Sequence, residues 1–263
     1  VVDLGPILAD LEAESRELDG VVAALPDEGW ARPTPAPGWT IAHQIAHLAW
    51  TDRESLIAAV RPDEFTAEIE KAVSGGEHFL DDAAAEGAQR APADLLVAWR
   101  EGRKALAVAL AAVPEGHRLP WFGPPMSAAS MATARLMETW AHAQDVYDAL
   151  GLRHESGDRI RHIARFGIRT RDFAFKLHSL APPPEEFRVE LTAPDGRLWA
   201  WGPEDAAQRV TGSALGFCLI VTQRRHPADT DVLAEGVDAQ EWLGIAQAFA
   251  GAQGGGREAG QFG

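Results

Sequence analysis

A single cysteine occurs in the 263 residues, so no internal disulfide can form, a cysteine usage compatible with the cytoplasm. That residue, Cys218, lies within the apolar run Ala214-Leu215-Gly216-Phe217-Cys218-Leu219-Ile220-Val221, with nothing basic beside it to lower its pKa. A buried core thiol is expected there rather than a nucleophile. Basic residues are also scarce: 24 Lys and Arg stand against 39 Asp and Glu, a formal charge of −15. A field of that sign repels a phosphate backbone and an anionic leaflet, which argues against nucleic acid as a partner. The one local exception, Arg224-Arg225-His226, can hold a small anion or be a solvated loop. Long hydrophobic runs are missing too. No stretch reaches the roughly 18 uninterrupted apolar residues needed to span a bilayer, and no basic segment followed by an apolar one opens the sequence. The expectation is a soluble, cytoplasmic protein.

What is present is the composition of an ordinary globular protein, 46% hydrophobic and 24% charged. Apolar residues at Leu4, Ile7, Leu8, Leu11, Leu18, Val21, Val22 and Leu25 follow helical spacing up to Pro26. Three prolines at 33, 35 and 37 exclude regular structure before Trp39, and Thr40 suits the N-cap of a second helix over 41–59. Further helices are predicted from Pro62 to about residue 86 with a break at Gly75-Gly76, and from Pro92 to about Val113. After a loop over 114–125, another helix capped by Ser127 or Ser130 ends at Gly151. Residues 1–151 therefore read as an antiparallel helical bundle. Beyond a helix over 158–177 and the stiff Ala181-Pro182-Pro183-Pro184, the strands 187–192 and 198–201 flank Pro194-Asp195-Gly196 as a hairpin. With helical segments at 213–221 and 239–249, residues 152–250 form a smaller α+β domain. The glycine-rich tail 251–263 is expected to be disordered.

Glu138 and His142 are four residues apart on one helix, and His43 and His47 share that spacing on another. Such pairs also occur as surface helix pairs or satisfied core histidines. Here, though, His47 is flanked by Ile45, Ala46, Leu48, Ala49 and Trp50, and Glu138 and His142 sit among Leu136, Met137 and Trp140. A buried carboxylate near two buried imidazoles is most readily satisfied by a cation. Trp39, Trp50, Trp121 and Trp140 are read as core residues rather than as an aromatic cage.

The segment Pro37-Gly38-Trp39-Thr40-Ile41-Ala42-His43-Gln44-Ile45-Ala46-His47-Leu48-Ala49, with Glu138 and His142 about ninety residues on, resembles the signature of the DinB-like metal-binding superfamily, in its mycothiol-dependent maleylpyruvate isomerase branch, common in actinobacteria. The resemblance implies an N-terminal four-helix metal bundle joined to a sterol-carrier-like α+β domain. It implies His47, Glu138 and His142 as ligands of a divalent metal, most simply zinc, although two imidazoles and a carboxylate also suit nickel, iron or manganese. His43 is left as an outer group, a further ligand or helix surface. Asp145 is a candidate to orient a ligand imidazole, or else forms a surface ion pair.

With three protein ligands and an open position, the implied activity uses a mycothiol-like thiol to isomerise or S-conjugate a small electrophile. Arg224 and Arg225 are the residues expected to anchor the cofactor or an anionic substrate. Two other readings stand beside this one: metal-dependent hydrolysis with water as nucleophile, and a non-catalytic protein that binds a metal or small ligand. Oligomeric state is open, a homodimer being one arrangement.

Overall fold

A computed structural model describes residues 3–262, which divide into two compact units that part between His154 and Glu155. The first is helical. Its helices are α1 (Leu4–Ala23), α2 (Ile41–Val60), α3 (Pro62–Gly75), α4 (Phe79–Ala88), α5 (Pro92–Ala111) and α6 (Ala128–Leu150), with single 3-10 turns at Asp27–Ala31 and Gly76–His78. Local chemistry sets the ends. Asp3 caps α1 by accepting from Gly5 N, Pro92 occupies the first turn of α5, and Ser127 caps α6 by accepting from Ser130 N. Gly151 closes α6 in the left-handed conformation, φ 66°.

Helix α2 is the centre of this unit and packs against α4, α5 and α6, while α1 packs on α6 and α5. One buried cluster joins Leu18, Val22, Ile41, Ile45, Leu48, Leu95, Trp99 and Val146; another joins Ile7, Leu106, Leu110, Leu119 and Met131. Each fully buried Leu or Ile contributes about 1.5–3 kcal/mol relative to exposure. Where α4 crosses α2 only a glycine fits, because a Cβ on Gly87 would lie 2.8 Å from that of Ala46, the residue before His47. Charges are buried in this unit as well, each with a partner. Asp19 receives Arg100 at 2.5 Å and Arg103 at 2.6 Å, and Asp52 receives Arg135 Nε at 2.9 Å.

The second unit holds α7 (Ile160–Arg169), α8 (Arg171–Leu177), β1 (Arg188–Thr192), β2 (Leu198–Trp201), β3 (Arg209–Ser213), α9 (Ala214–Val221), β4 (Leu233–Glu235) and α10 (Val237–Ile245). The sheet order is β2-β1-β3-β4; β1 pairs antiparallel with β2 and parallel with β3, and β3 pairs antiparallel with β4. Val189, Leu191, Trp199 and Val210 turn into a core completed by Phe217 and Trp242, whose rings meet edge to face at 5.7 Å. Cys218 is fully buried in that core, and burial pushes its thiol well above the usual range.

Three features differ from the periodicity. The helix expected over 158–177 is two, because Thr170 Oγ1 donates to the Gly167 carbonyl and the chain leaves helical geometry there. Strands β3 and β4 lie where no strand is read: β3 carries Gly212, and β4 is three residues long, so pairing rather than local propensity makes them strands. Gly212 is required, since a Cβ there would sit 2.8 Å from Val232 Cα. The tail to residue 262, which composition marks for disorder, is tied by Gly254 N to Gln247 Oε1, by Gln253 Nε2 to the Leu177 carbonyl and by Gly260 N to Asp229. Among the described residues no helix is long and apolar enough to cross a membrane.

Candidate metal centre

The chain before α2 folds on itself. Thr34 N donates to the Trp39 carbonyl at 2.8 Å, Trp39 N to the Ala36 carbonyl at 3.0 Å, and Gly38 takes φ 77° to permit the turn. This sets Trp39 beside the first turns of α2. His43 then caps the helix: its Nδ1 accepts from Thr40 N at 3.3 Å and lies 2.8 Å from Thr40 Oγ1. The role left open for His43 is therefore a backbone one, and burial lowers its pKa against the pull of Asp81.

One turn on, His47 meets α6. Its Nε2 lies 3.3 Å from Glu138 Oε2, and His142 Nε2 lies 3.4 Å from the same oxygen; all three ligand atoms fall within 4.8 Å of one another. The side chains of His47, Glu138 and His142 are 9%, 22% and 12% exposed, so the group borders solvent without standing in it. Burial raises the Glu138 pKa, but hydrogen bonds from His142 and His47 and the charges of His47 and Arg135 outweigh it and hold the carboxyl well below the usual range.

Two details favour an ion over an ion pair. Zinc ligands at about 2.0–2.2 Å in a tetrahedral shell are roughly 3.3–3.5 Å apart, which is the distance of each imidazole nitrogen from Glu138 Oε2, whereas a charge-assisted N–H···O bond shortens to about 2.7–2.9 Å. The second detail is the tautomer. His142 Nδ1 lies 2.5 Å from Gln44 Oε1, an oxygen that can only accept; Gln44 Nε2 donates to Thr34 Oγ1 at 2.9 Å, and Thr34 Oγ1 donates to the Trp39 carbonyl at 3.0 Å. Gln44 thus engages Nδ1 and leaves Nε2 as the nitrogen that faces Glu138. When the ring is neutral that nitrogen presents a lone pair to a carboxylate oxygen, an arrangement that a cation completes. His47 departs from the usual ligand pattern in one respect, because its buried Nδ1 has no hydrogen-bond partner among the described residues.

Glu14, Glu17 and His154 form another cluster with metal-ligand atoms close together. There Glu14 Oε1 is 2.9 Å from His154 Nε2, an ordinary hydrogen-bond length, and the imidazole stacks on Tyr147 at 4.5 Å. That contact is an ordinary hydrogen bond, although the buried Nδ1 of His154 has no hydrogen-bond partner among the described residues.

His142 Nδ1 is met by Gln44, a residue the sequence reading did not single out; Asp145, left open there between orienting a ligand imidazole and a surface ion pair, is fully buried. The signal for Gln44 was a fully buried amide three residues before His47, visible only once α2 is known to face α6. Arg224 and Arg225 lie in the second unit, after α9; Arg224 Nη1 donates to the Thr222 carbonyl at 2.6 Å, and the Arg225 guanidinium covers Phe262 at 3.9 Å. Arg225, His226 and Arg257 border a cavity of about 260 Å³ in that unit. Of the four tryptophans expected in the core, only Trp140 is fully buried. Trp39, Trp50 and Trp121 are half-buried, and Trp39 lies with its ring centre 5.4 Å from His47 and 5.9 Å from His142.

Residues 11–147, just over half of the chain and inclusive of the whole triad, match the mycothiol maleylpyruvate isomerase N-terminal domain. The chain belongs to that family. Residues 183–235 match the family described as wyosine base formation. Two uncharacterized proteins of Mycobacterium tuberculosis, from strains H37Rv and CDC 1551/Oshkosh, are each 58% identical over 257 residues, covering 98% of this chain and 100% of their own. The crystal structure of the mycothiol-dependent maleylpyruvate isomerase shares the fold, with a TM-score of 0.59 at 17% identity over 90% of this chain and 95% of that one. A histidine-to-alanine mutant of that enzyme matches equally.

Proposed function

We propose that the protein is a metal-dependent enzyme that uses a mycothiol-like thiol to isomerise or S-conjugate a small electrophile. His47, Glu138 and His142 hold a divalent ion, with zinc the expected metal, and the helical unit is the metal-binding domain. The observation that carries this reading is the convergence of His47 Nε2, Glu138 Oε2 and His142 Nε2 within 4.8 Å of one another, with the other nitrogen of His142 engaged by Gln44. With three protein ligands one position stays open, and an ion there supplies the Lewis acidity that makes a thiol nucleophilic at neutral pH. The protein's own part is to hold Glu138 ionised, lock the His142 tautomer and keep bulk water from one side of the centre through Trp39.

Family membership and the fold shared with a mycothiol-dependent isomerase support a thiol as cosubstrate. Arg224 and Arg225 are proposed to hold an anionic group of the cofactor or substrate within the second unit, where Arg225 borders the basic cavity. The test is to replace the native metal with cobalt and titrate a low-molecular-weight thiol under visible absorption. One cobalt per chain and a new sulfur-to-cobalt charge-transfer band are expected. A spectrum that ignores thiol while ester hydrolysis proceeds would transfer the site to water chemistry.

A further inference from the structure

The rings beside the triad form one continuous wall. Trp39 lies against both ligand imidazoles, and Trp50 is 6.2 Å from His47. From Trp50 the wall runs outward: Phe122 stacks on it at 5.9 Å and 18°, and Phe79 meets it edge-on at 5.6 Å. Phe65, wholly buried, lies 5.0 Å from Phe122. These rings come from the loop before α2, from α2, α3 and α4, and from the loop before α6, so no single helical stripe explains their meeting. Trp39, Trp50, Phe79 and Phe122 all remain half-buried. A cluster serving only as core would hide those faces; four large rings left partly in water, in a group that begins at a ligand set, mark a surface that a ligand covers.

The chemistry of the wall selects among ligands. Ring faces receive planar apolar groups by stacking and offer nothing to a second carboxylate. The indole N–H of Trp39 is already committed to Asp81 Oδ1 at 2.9 Å. Arg135, the cation close to Glu138, is 2% exposed: its Nε is bound to Asp52, and its Nη2, without a hydrogen-bond partner among the described residues, is buried away from a ligand.

We infer that the electrophile taken by this centre has one polar end, which reaches the metal, and a planar apolar group that packs against the partly exposed rings of Trp50 and Phe122, so that compact dicarboxylates are poor ligands. The inference rests on the triad being an open metal centre, and adds the substrate class.

The experiment measures binding of three probes, 2-naphthoate, acetate and maleate, to the zinc-loaded full chain by calorimetry, and repeats it after chelation. Naphthoate is expected to bind at least about tenfold more tightly than acetate or maleate, and Phe122→Ala to remove about tenfold of that affinity with the metal content unchanged. Phe122→Leu, which keeps apolar volume without a ring face, guards against misfolding and should show the same loss. Equal affinity for all three probes, or naphthoate binding indifferent to both Phe122 variants, overturns the inference. Metal content reports on the triad separately: a chain that takes up no zinc, yet still prefers naphthoate through Phe122, keeps the aromatic site and loses the metal centre.

Discussion

The side-chain oxygen of Gln44 on α2 lies 2.5 Å from Nδ1 of His142 on α6, and this contact decides which imidazole nitrogen is free to bind a metal. Gln44 itself is fully buried, with its amide nitrogen held by Thr34. Replacing it with leucine removes the acceptor but keeps the packing. Metal affinity is expected to fall about 10–100-fold, as for other residues that orient a metal-bound histidine. Competition with a chromogenic chelator measures this. Unchanged affinity in Gln44→Leu would show that the tautomer is set elsewhere.

His47→Ala, Glu138→Ala and His142→Ala should each reduce bound metal from one equivalent to near none while far-UV circular dichroism stays helical. His43→Ala behaves differently, because its Nδ1 serves Thr40 at the start of α2. That variant should keep its metal and lose about 1 kcal/mol of stability. Elemental analysis and chemical denaturation separate the two effects, and stoichiometric metal in His142→Ala would refute the ligand assignment.

Arg135 and Asp52 are both almost fully buried and joined at 2.9 Å. Burial drives the Asp52 carboxyl upward and the guanidinium opposes it. Removing one partner strands the other charge, so Arg135→Met should destabilise by about 3–5 kcal/mol. The double variant Asp52→Leu/Arg135→Met should recover much of that loss. A double variant as unstable as the sum of the singles would mean that packing, not charge, is at stake.

Asp19 lies between Arg100 and Arg103, with a side chain 11% exposed. Burial raises its pKa, but hydrogen bonds and charges from the two arginines outweigh it, and the folded value is below 3.8. A depressed carboxylate contributes stability that is complete above the unfolded pKa and is lost as pH falls through the folded one. The stability difference between the parent and Asp19→Asn should therefore be constant from pH 7 to about 5 and shrink below about 4. Urea denaturation across that range tests it; a gap that widens on acidification contradicts the sign.

Periodicity and spacing by themselves determined much of this protein. The helix limits at Asp3, Thr40, Pro92, Ser127 and Gly151 are local chemistry, and so is the pairing of Glu138 with His142 on one turn-to-turn face. The β1–β2 hairpin is equally local, since its turn residues lie between the strands. What tertiary structure decided is everything that depends on which face meets which. Gln44 becomes the partner of His142 only because α2 packs on α6; β3 and β4 become strands only because β1 and each other are there to pair with; and Trp39 and Trp50, indistinguishable in sequence from the buried Trp140, keep surface in water because their neighbours are the triad and Phe122. The reason is physical: a sequence records the apolar face of each element through its local period, while hydrogen-bond partners and ring contacts belong to residues tens of positions apart, whose meeting is fixed by packing.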